Sequence, residues 1–154
     1  RIDQIEADAV EQFNDHMEQI LSILDYDNID RIWIEIVEEE VRKGRRKTTE
    51  RTFELHVIRS SDRGVAYEDT VAHLSDSERE VTGLVFALAG YLVHDVHEDV
   101  PVMIMDALEP IDSERIAALI EYFESYVDYL IVALLPEDAD ALEIDHHRIT
   151  DIGQ

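Results

Sequence analysis

The chain contains no cysteine, only five glycines and three prolines, and only two lysines, Lys43 and Lys47, among its thirteen Lys and Arg residues. The lack of cysteine excludes a disulfide scaffold and a thiolate zinc site, and fits a cytoplasmic protein. No apolar run reaches the length that spans a bilayer, and no secretory leader pattern stands at Arg1, so no membrane partner is expected. No G-x-x-x-x-G-K-[ST] segment occurs either. That segment is the loop whose backbone N–H groups cradle nucleotide phosphates, so any such cradle has to come from outside these residues.

What is present is acidic and apolar at once. The 154 residues are 45% hydrophobic, enough for one domain over 1–154 with a real core, and carry a formal charge of -24 from 37 acidic and 13 cationic residues. Such self-repulsion is screened by salt, and the scarcity of lysine adds to the expectation of a salt-adapted, halophilic protein. A generic nucleic-acid binder is basic overall, so any DNA contact here is confined to a local patch.

Taken in order, residues 3–26 read as an amphipathic helix. Val10, Phe13, Met17, Ile20 and Leu24 recur in steps of three and four, a seam that suits either a coiled coil or a core-facing helix. Ile32, Ile34 and Ile36 alternate along one strand, and Phe53, Leu55 and Val57 along a second. Between them lies EEEVRKGRRKTTER, a β-hairpin tip in which Arg42, Lys43, Arg45, Arg46 and Lys47 cluster around Gly44. These cations either balance Glu38, Glu39 and Glu40 or meet DNA phosphates. After a turn at 60–64 and an extended stretch over 65–73, Ser75 and Glu78 have capping-box spacing ahead of the apolar run Val81–Val93. His94 and His97 read as a solvated helix terminus. Pro101 leads an apolar strand, Val102–Met105, of the kind buried on both faces of a parallel sheet. Asp106 follows at its carboxyl end, where open α/β sheets place ligands. Asp112 is a natural N-cap for a helix over 113–125, a strand covers 129–133, and Pro136 starts a short helix.

The order LSDSE, apolar helix, VPVMIMD, EPID resembles the C-terminal half of an SMC-type head, the ABC-class ATPase of chromosome-organising and break-repair proteins. The acidic bias and DALEPIDSERI resemble the SMC-related proteins of salt-loving archaea. The resemblance implies an α/β fold in three stretches: a helix over 1–28 where a coiled-coil arm enters the head, strands and a basic hairpin over 29–73, and a signature helix, Walker B strand, D-loop and closing strands over 74–154. The last of these strands is expected at 146–152. It also implies ATP and Mg²⁺ as cofactors: Ser75, Ser77, Glu78 and Asp112 on the nucleotide, and Asp106 on the metal.

Three departures accompany it. Asp76 and Ser77 replace the glycine pair of the signature LSGGE, Ala107 replaces the glutamate that orients the attacking water, and Leu134 stands where a phosphate-sensing histidine is usual. Glu109 is the candidate to replace that glutamate. The resemblance thus implies a chromosome-associated head lobe that works with an N-terminal lobe, in the same chain or a separate subunit, that dimerises with ATP between two heads, and that hydrolyses slowly. A degenerate lobe serving only as an interaction module is the alternative.

Overall fold

In a computed structural model the chain is described from residue 2 to residue 150, with residues 2 and 3 described by backbone alone. Helix α1 spans Ile2–Leu24. Its seam becomes core: Met17, Ile20 and Leu24 are buried while Val10 and Phe13 are half-buried. Over these residues the three-four spacing therefore serves the packing of this lobe. Ile5, toward the start of the helix, is 68% exposed.

Strands β1 (Arg31–Lys43), β2 (Arg46–Ser60) and β3 (Ala66–Asp69) form an antiparallel meander. The first two pair in unbroken register from Arg31–Ile58 to Lys43–Arg46. The pairing therefore runs through the polar tip, well past the apolar residues that mark the strands in the sequence. A two-residue turn closes it, with Gly44 at φ +68°, a backbone region that glycine enters without strain. One face of the sheet, through Ile32, Ile34 and Val57, joins the core. The outer edge of β1 is closed by Asn14 of α1. Its amide donates to the Ile34 carbonyl (3.0 Å) and its carbonyl accepts from the Ile34 N–H (2.7 Å), so a side chain satisfies backbone groups that an open edge would expose.

Helix α2 (Asp76–Val93) crosses α1 closely. A Cβ at Gly90 would stand 3.3 Å from the Phe13 ring, and Phe13 in turn meets Phe86 at 4.9 Å between centroids. Asp95, in the left-handed region at φ 48°, separates α2 from the one-turn helix α3 (Val96–Asp99). His94 and His97 therefore lie on either side of a chain break in direction and do not share one helix face.

Strands β4 (Val102–Met105) and β5 (Tyr129–Val132) pair in parallel, joined through α4 (Ser113–Glu124). A short α5 (Pro136–Ala141) follows. Two expectations change here. Strand β4 is buried on one face only: Met103 and Met105 are 6% and 2% exposed, but Val102 and Ile104 are 37% and 71%. With two strands and helices on one side, the other face has nothing above it among the described residues. The strand expected over 146–152 is not formed across 146–150, and residues 151 and 152 lie outside the described residues. A strand needs a ladder partner, and among the described residues that stretch has none. His146 instead bonds locally to the Ile144 carbonyl.

Phe123 of α4 is fully buried, in edge contact with Tyr91 and Tyr122. Phe123→Ala should lower stability by about 3–5 kcal/mol, read as a shift of the urea midpoint at fixed salt with an unchanged slope.

Candidate functional site

The functional candidates fall on three surfaces. The first is the turn into α2. Ser75 is its N-cap. Its hydroxyl accepts from the Glu78 N–H (3.2 Å) and its own N–H donates to Glu78 Oε2 (2.8 Å), a complete capping box. Asp76 and Ser77 are exposed, and the Asp76 carboxylate points to solvent, 97% exposed, with Arg79 3.3 Å away. The Asp76 carboxylate is thus turned away from the backbone of the turn. Glu78 is different. It is 6% exposed, and its second oxygen accepts from Arg59 Nη2 at 2.8 Å. Both Glu78 oxygens are engaged inside the protein, so its evident role is to hold Ser75 in place.

Arg59 was not legible as a functional residue. It sits on β2, in phase with the inward-facing Val57, and bonds Asp69 of β3 (3.0 Å) as well as Glu78. An arginine in an inward register position is the only sequence signal it leaves. Through it the sheet is bonded directly to the N-terminus of α2. Asp69 also faces His73 at 2.7 Å and accepts from the Thr70 N–H at 2.8 Å. The histidine first, then the backbone N–H and the arginine, hold the Asp69 carboxyl below its ordinary value.

The second surface is the loop from β4 to α4. Asp106 is exposed at the carboxyl end of β4, and its Oδ1 accepts from the Ala107 N–H (2.8 Å). Ala107 is left-handed, at φ 59°, a conformation that costs a residue with a Cβ about 1–2 kcal/mol. Leu108 and Ile111 are buried and anchor the loop, while Glu109 is exposed between them. Asp112 caps α4, accepting from the Arg115 N–H at 3.0 Å. One loop thus brings Asp106, Ala107, Glu109 and Asp112 together. Among the described residues no hydrogen bond or ion pair joins this loop to Ser75.

The chemistry of these residues fits Mg²⁺ and the phosphates of a nucleotide. Asp106 keeps one carboxylate oxygen without a protein partner among the described residues, and Ser75 is exposed at the head of an 18-residue helix, where free N–H groups and the helix dipole favour anions.

The third surface is the hairpin tip. Lys47 pairs with Glu40 (2.9 Å) and Lys43 with Glu50. Arg42, Arg45 and Arg46 are exposed and make no ion pair among the described residues. The tip's lysines are thus balanced across the ladder, while these three arginines make no such pair among the described residues. Arg42 and Lys47 lie on one face, Lys43 and Arg46 on the other, with Arg45 at the apex.

This element order, with a capped helix, an acidic loop after a parallel strand and a long antiparallel hairpin, has the fold of the C-terminal lobe of SMC-type heads. A chain solved in work on ATP-driven dimerization and DNA-stimulated activation of SMC ATPases superposes with a TM-score of 0.56, covering 90% of this chain and 76% of that one at 16% identity. The sequence narrows this to haloarchaeal Smc-like proteins, of which the chain is a homologue over nearly its whole length. It is 58% identical over 150 residues to Smc-like protein Sph3 of Haloferax volcanii, and 58% identical over 153 residues to Smc-like protein Sph2 of Halobacterium salinarum. Each alignment covers 97% of this chain and 23% of the relative. The chain therefore spans about a quarter of the length of the curated relatives that it matches. No protein-family model matches it.

The lowered Asp69 carboxyl gives a pH dependence of defined sign. A carboxyl with a depressed native value contributes stability that is complete above its unfolded value, here near 3.8, and that is lost as pH falls through the native value beneath it. Asp69→Asn should therefore be less stable than the parent at about pH 7, with the gap closing only as pH falls below the ordinary carboxylate range, as urea midpoints taken across that range will show.

Proposed function

We propose that the chain forms the C-terminal half of an ATP-binding SMC-type head that acts in chromosome organisation or DNA repair. The observation that carries this is the bare face of the parallel pair. Val102, Ile104, Tyr129 and Ile131 are 37%, 71%, 65% and 54% exposed on strands whose other face is core. A parallel pair is ordinarily covered on both faces. In this reading an N-terminal lobe, in the same chain or as a separate subunit, completes the sheet and brings the phosphate cradle that these residues lack.

The remaining roles follow from position. Asp106 lies at the carboxyl end of β4 and would hold Mg²⁺ there. Ser75 and Ser77, at the head of α2, face the phosphates of a nucleotide carried by a second head, with Glu78 and Arg59 fixing the turn. Asp112 lines the same junction. The bound group supplies electrostatic closure between two heads. Hydrolysis is slow because Ala107 brings no carboxylate to the water, and Glu109 is the residue left to do so. No helix among the described residues is long and apolar enough to cross a membrane, and the protein is placed at the chromosome in this reading.

Ala107 also favours a second reading, a lobe that has kept the fold as an interaction module and lost turnover. The two part on nucleotide binding. The chain joined with its N-terminal lobe should bind an ATP analogue saturably with Mg²⁺ in high-potassium buffer, and Asp106→Ala should weaken that binding at least about tenfold. Absence of binding at every salt concentration leaves the module. Ile104→Asp, at an exposed position, should abolish co-purification with the N-terminal lobe while the far-ultraviolet circular dichroism of this chain stays unchanged.

The hairpin is the proposed DNA contact, through Arg42, Lys43, Arg45, Arg46 and Lys47. Charge reversal at Arg45 and Arg46 should weaken DNA binding. It should also reduce the slope of log affinity against log salt by about 0.9 for each phosphate that is no longer neutralised. An unchanged affinity and slope would remove the tip from the DNA surface.

A further inference from the structure

The outer face of the meander carries a cluster that neither the nucleotide surfaces nor the basic tip uses. Alternation along β1 and β2 places Trp33, Glu35, Glu54 and His56 on the face opposite the buried Ile32, Ile34 and Val57. They form two directly opposed cross-strand pairs, Trp33–His56 and Glu35–Glu54. Glu68 of β3, which opposes Ile58, joins them on the same face. The His56 ring stacks on Trp33 at 4.8 Å and 16°, with the Arg31 guanidinium over Trp33, 5.2 Å from the ring centroid. His56 Nδ1 lies 2.6 Å from Glu68 Oε1. His56 Nε2 lies 3.0 Å from Glu35 Oε1 and 4.0 Å from Glu54 Oε2.

Two features of this arrangement are costly without a cation. Glu35 and Glu54 are like charges directly opposite each other across a ladder, which is destabilising. His56 Nε2 is buried and makes no hydrogen bond among the described residues, although a carboxylate oxygen stands 3.0 Å away. Donor atoms that converge without bonding one another are arranged as ligands are around a shared ion. With metal–ligand bonds of about 2.0–2.2 Å, neighbouring ligands of a tetrahedral ion stand about 3.4 Å apart. The Nε2 atom and one oxygen from each of Glu35 and Glu54 all lie within 4.8 Å of one another. Glu68 supplies the remaining element: a carboxylate accepting from Nδ1–H fixes the tautomer that leaves the Nε2 lone pair free, and makes it more basic.

We propose that His56, Glu35 and Glu54 bind one divalent cation of the zinc class, with Glu68 orienting the histidine and water in the open position. One imidazole with two carboxylates suits such an ion better than a thiolate-seeking ion or one that takes only oxygen. Its two charges neutralise the opposed glutamates. It clasps β1 to β2 beneath the free part of the hairpin and, through Glu68, holds β3 to the same strand.

Trp33 is the only tryptophan of the chain and stacks on the ligand ring, so a paramagnetic ion reports its own binding. Ni²⁺ titrated into the metal-free chain, in chelator-free buffer of high potassium chloride, should quench Trp33 emission and saturate at one equivalent, and Zn²⁺ should reverse the quench by displacement. Glu54→Gln and His56→Gln should each raise the midpoint at least about tenfold, and Glu68→Gln about ten- to a hundredfold. Asp95→Asn, at the α2–α3 break, should change nothing. Because the unaltered chain is titrated first, the result does not depend on any variant folding. No quench up to millimolar Ni²⁺ overturns the proposal. So does a quench that does not saturate at one equivalent, or that persists unchanged in the folded Glu54→Gln chain, since diffuse binding to the acidic surface would then account for it. Detection of His56 by nitrogen resonance as a doubly protonated imidazolium in excess Zn²⁺ also overturns it, because no lone pair is then available to the ion.

Discussion

The lobe depends on the burial of one side of α1. Met17, Ile20 and Leu24 sit where the sheet and the helices α2 and α4 all meet that helix, so a single apolar stripe is the common wall of elements that otherwise share little surface. Burying side chains of this size contributes roughly 1.5–3 kcal/mol each. Polar ties fix the orientation of what the stripe gathers: Asn14 on the edge of β1, Arg115 on Asp25 beyond the end of α1, and Tyr122 on Gln19. Displacing α1 would therefore disturb the hairpin and the helix after the Asp106 loop together.

Arg59 makes the second connection, and it is electrostatic. A guanidinium that is 19% exposed, bonded to carboxylates from β3 and from α2, couples two elements that lie on either side of a turn. Removing one member of a partly buried ionic group leaves the others charged and poorly solvated, which is more disruptive than losing an exposed pair. Ser75 owes its placement to Glu78, Glu78 is held by Arg59, and Arg59 is part of the strand that rises into the basic tip. Any force on the hairpin thus has a short physical route to the turn at the head of α2.

Features whose cause lies within a few residues were readable before any coordinates. The capping box at Ser75 and Glu78, the N-cap at Asp112, the turn at Gly44 and the alternation of Ile32, Ile34 and Ile36 each carry their own instructions. Features that depend on distant pairing were not. Periodicity cannot distinguish a strand buried on both faces from one left bare on one side, so Val102–Met105 looked central when half of it is exposed. The strand expected over 146–152 came from the resemblance to SMC heads, and such a resemblance does not reveal whether a ladder partner exists within the described residues. Arg59 and His56 left almost no trace, since what matters about each is which carboxylates the fold brings to it from other strands. The resemblance to SMC heads rested on the order of short motifs along the chain, and that order survives the substitutions at Asp76 and Ala107.

The bare face of β4 and β5 has a consequence for how such a lobe behaves in a crowded, saline medium. At low ionic strength the charge of -24 keeps copies apart, so an apolar patch is harmless. At multimolar salt that mutual repulsion is screened over a few ångströms, while exclusion of strongly hydrated ions strengthens apolar association. The conditions that suit an acidic surface therefore remove the guard from Ile104, Tyr129 and Ile131. A lobe of this kind is colloidally safe only while something covers that face, which makes prompt assembly a solubility requirement as much as a functional one.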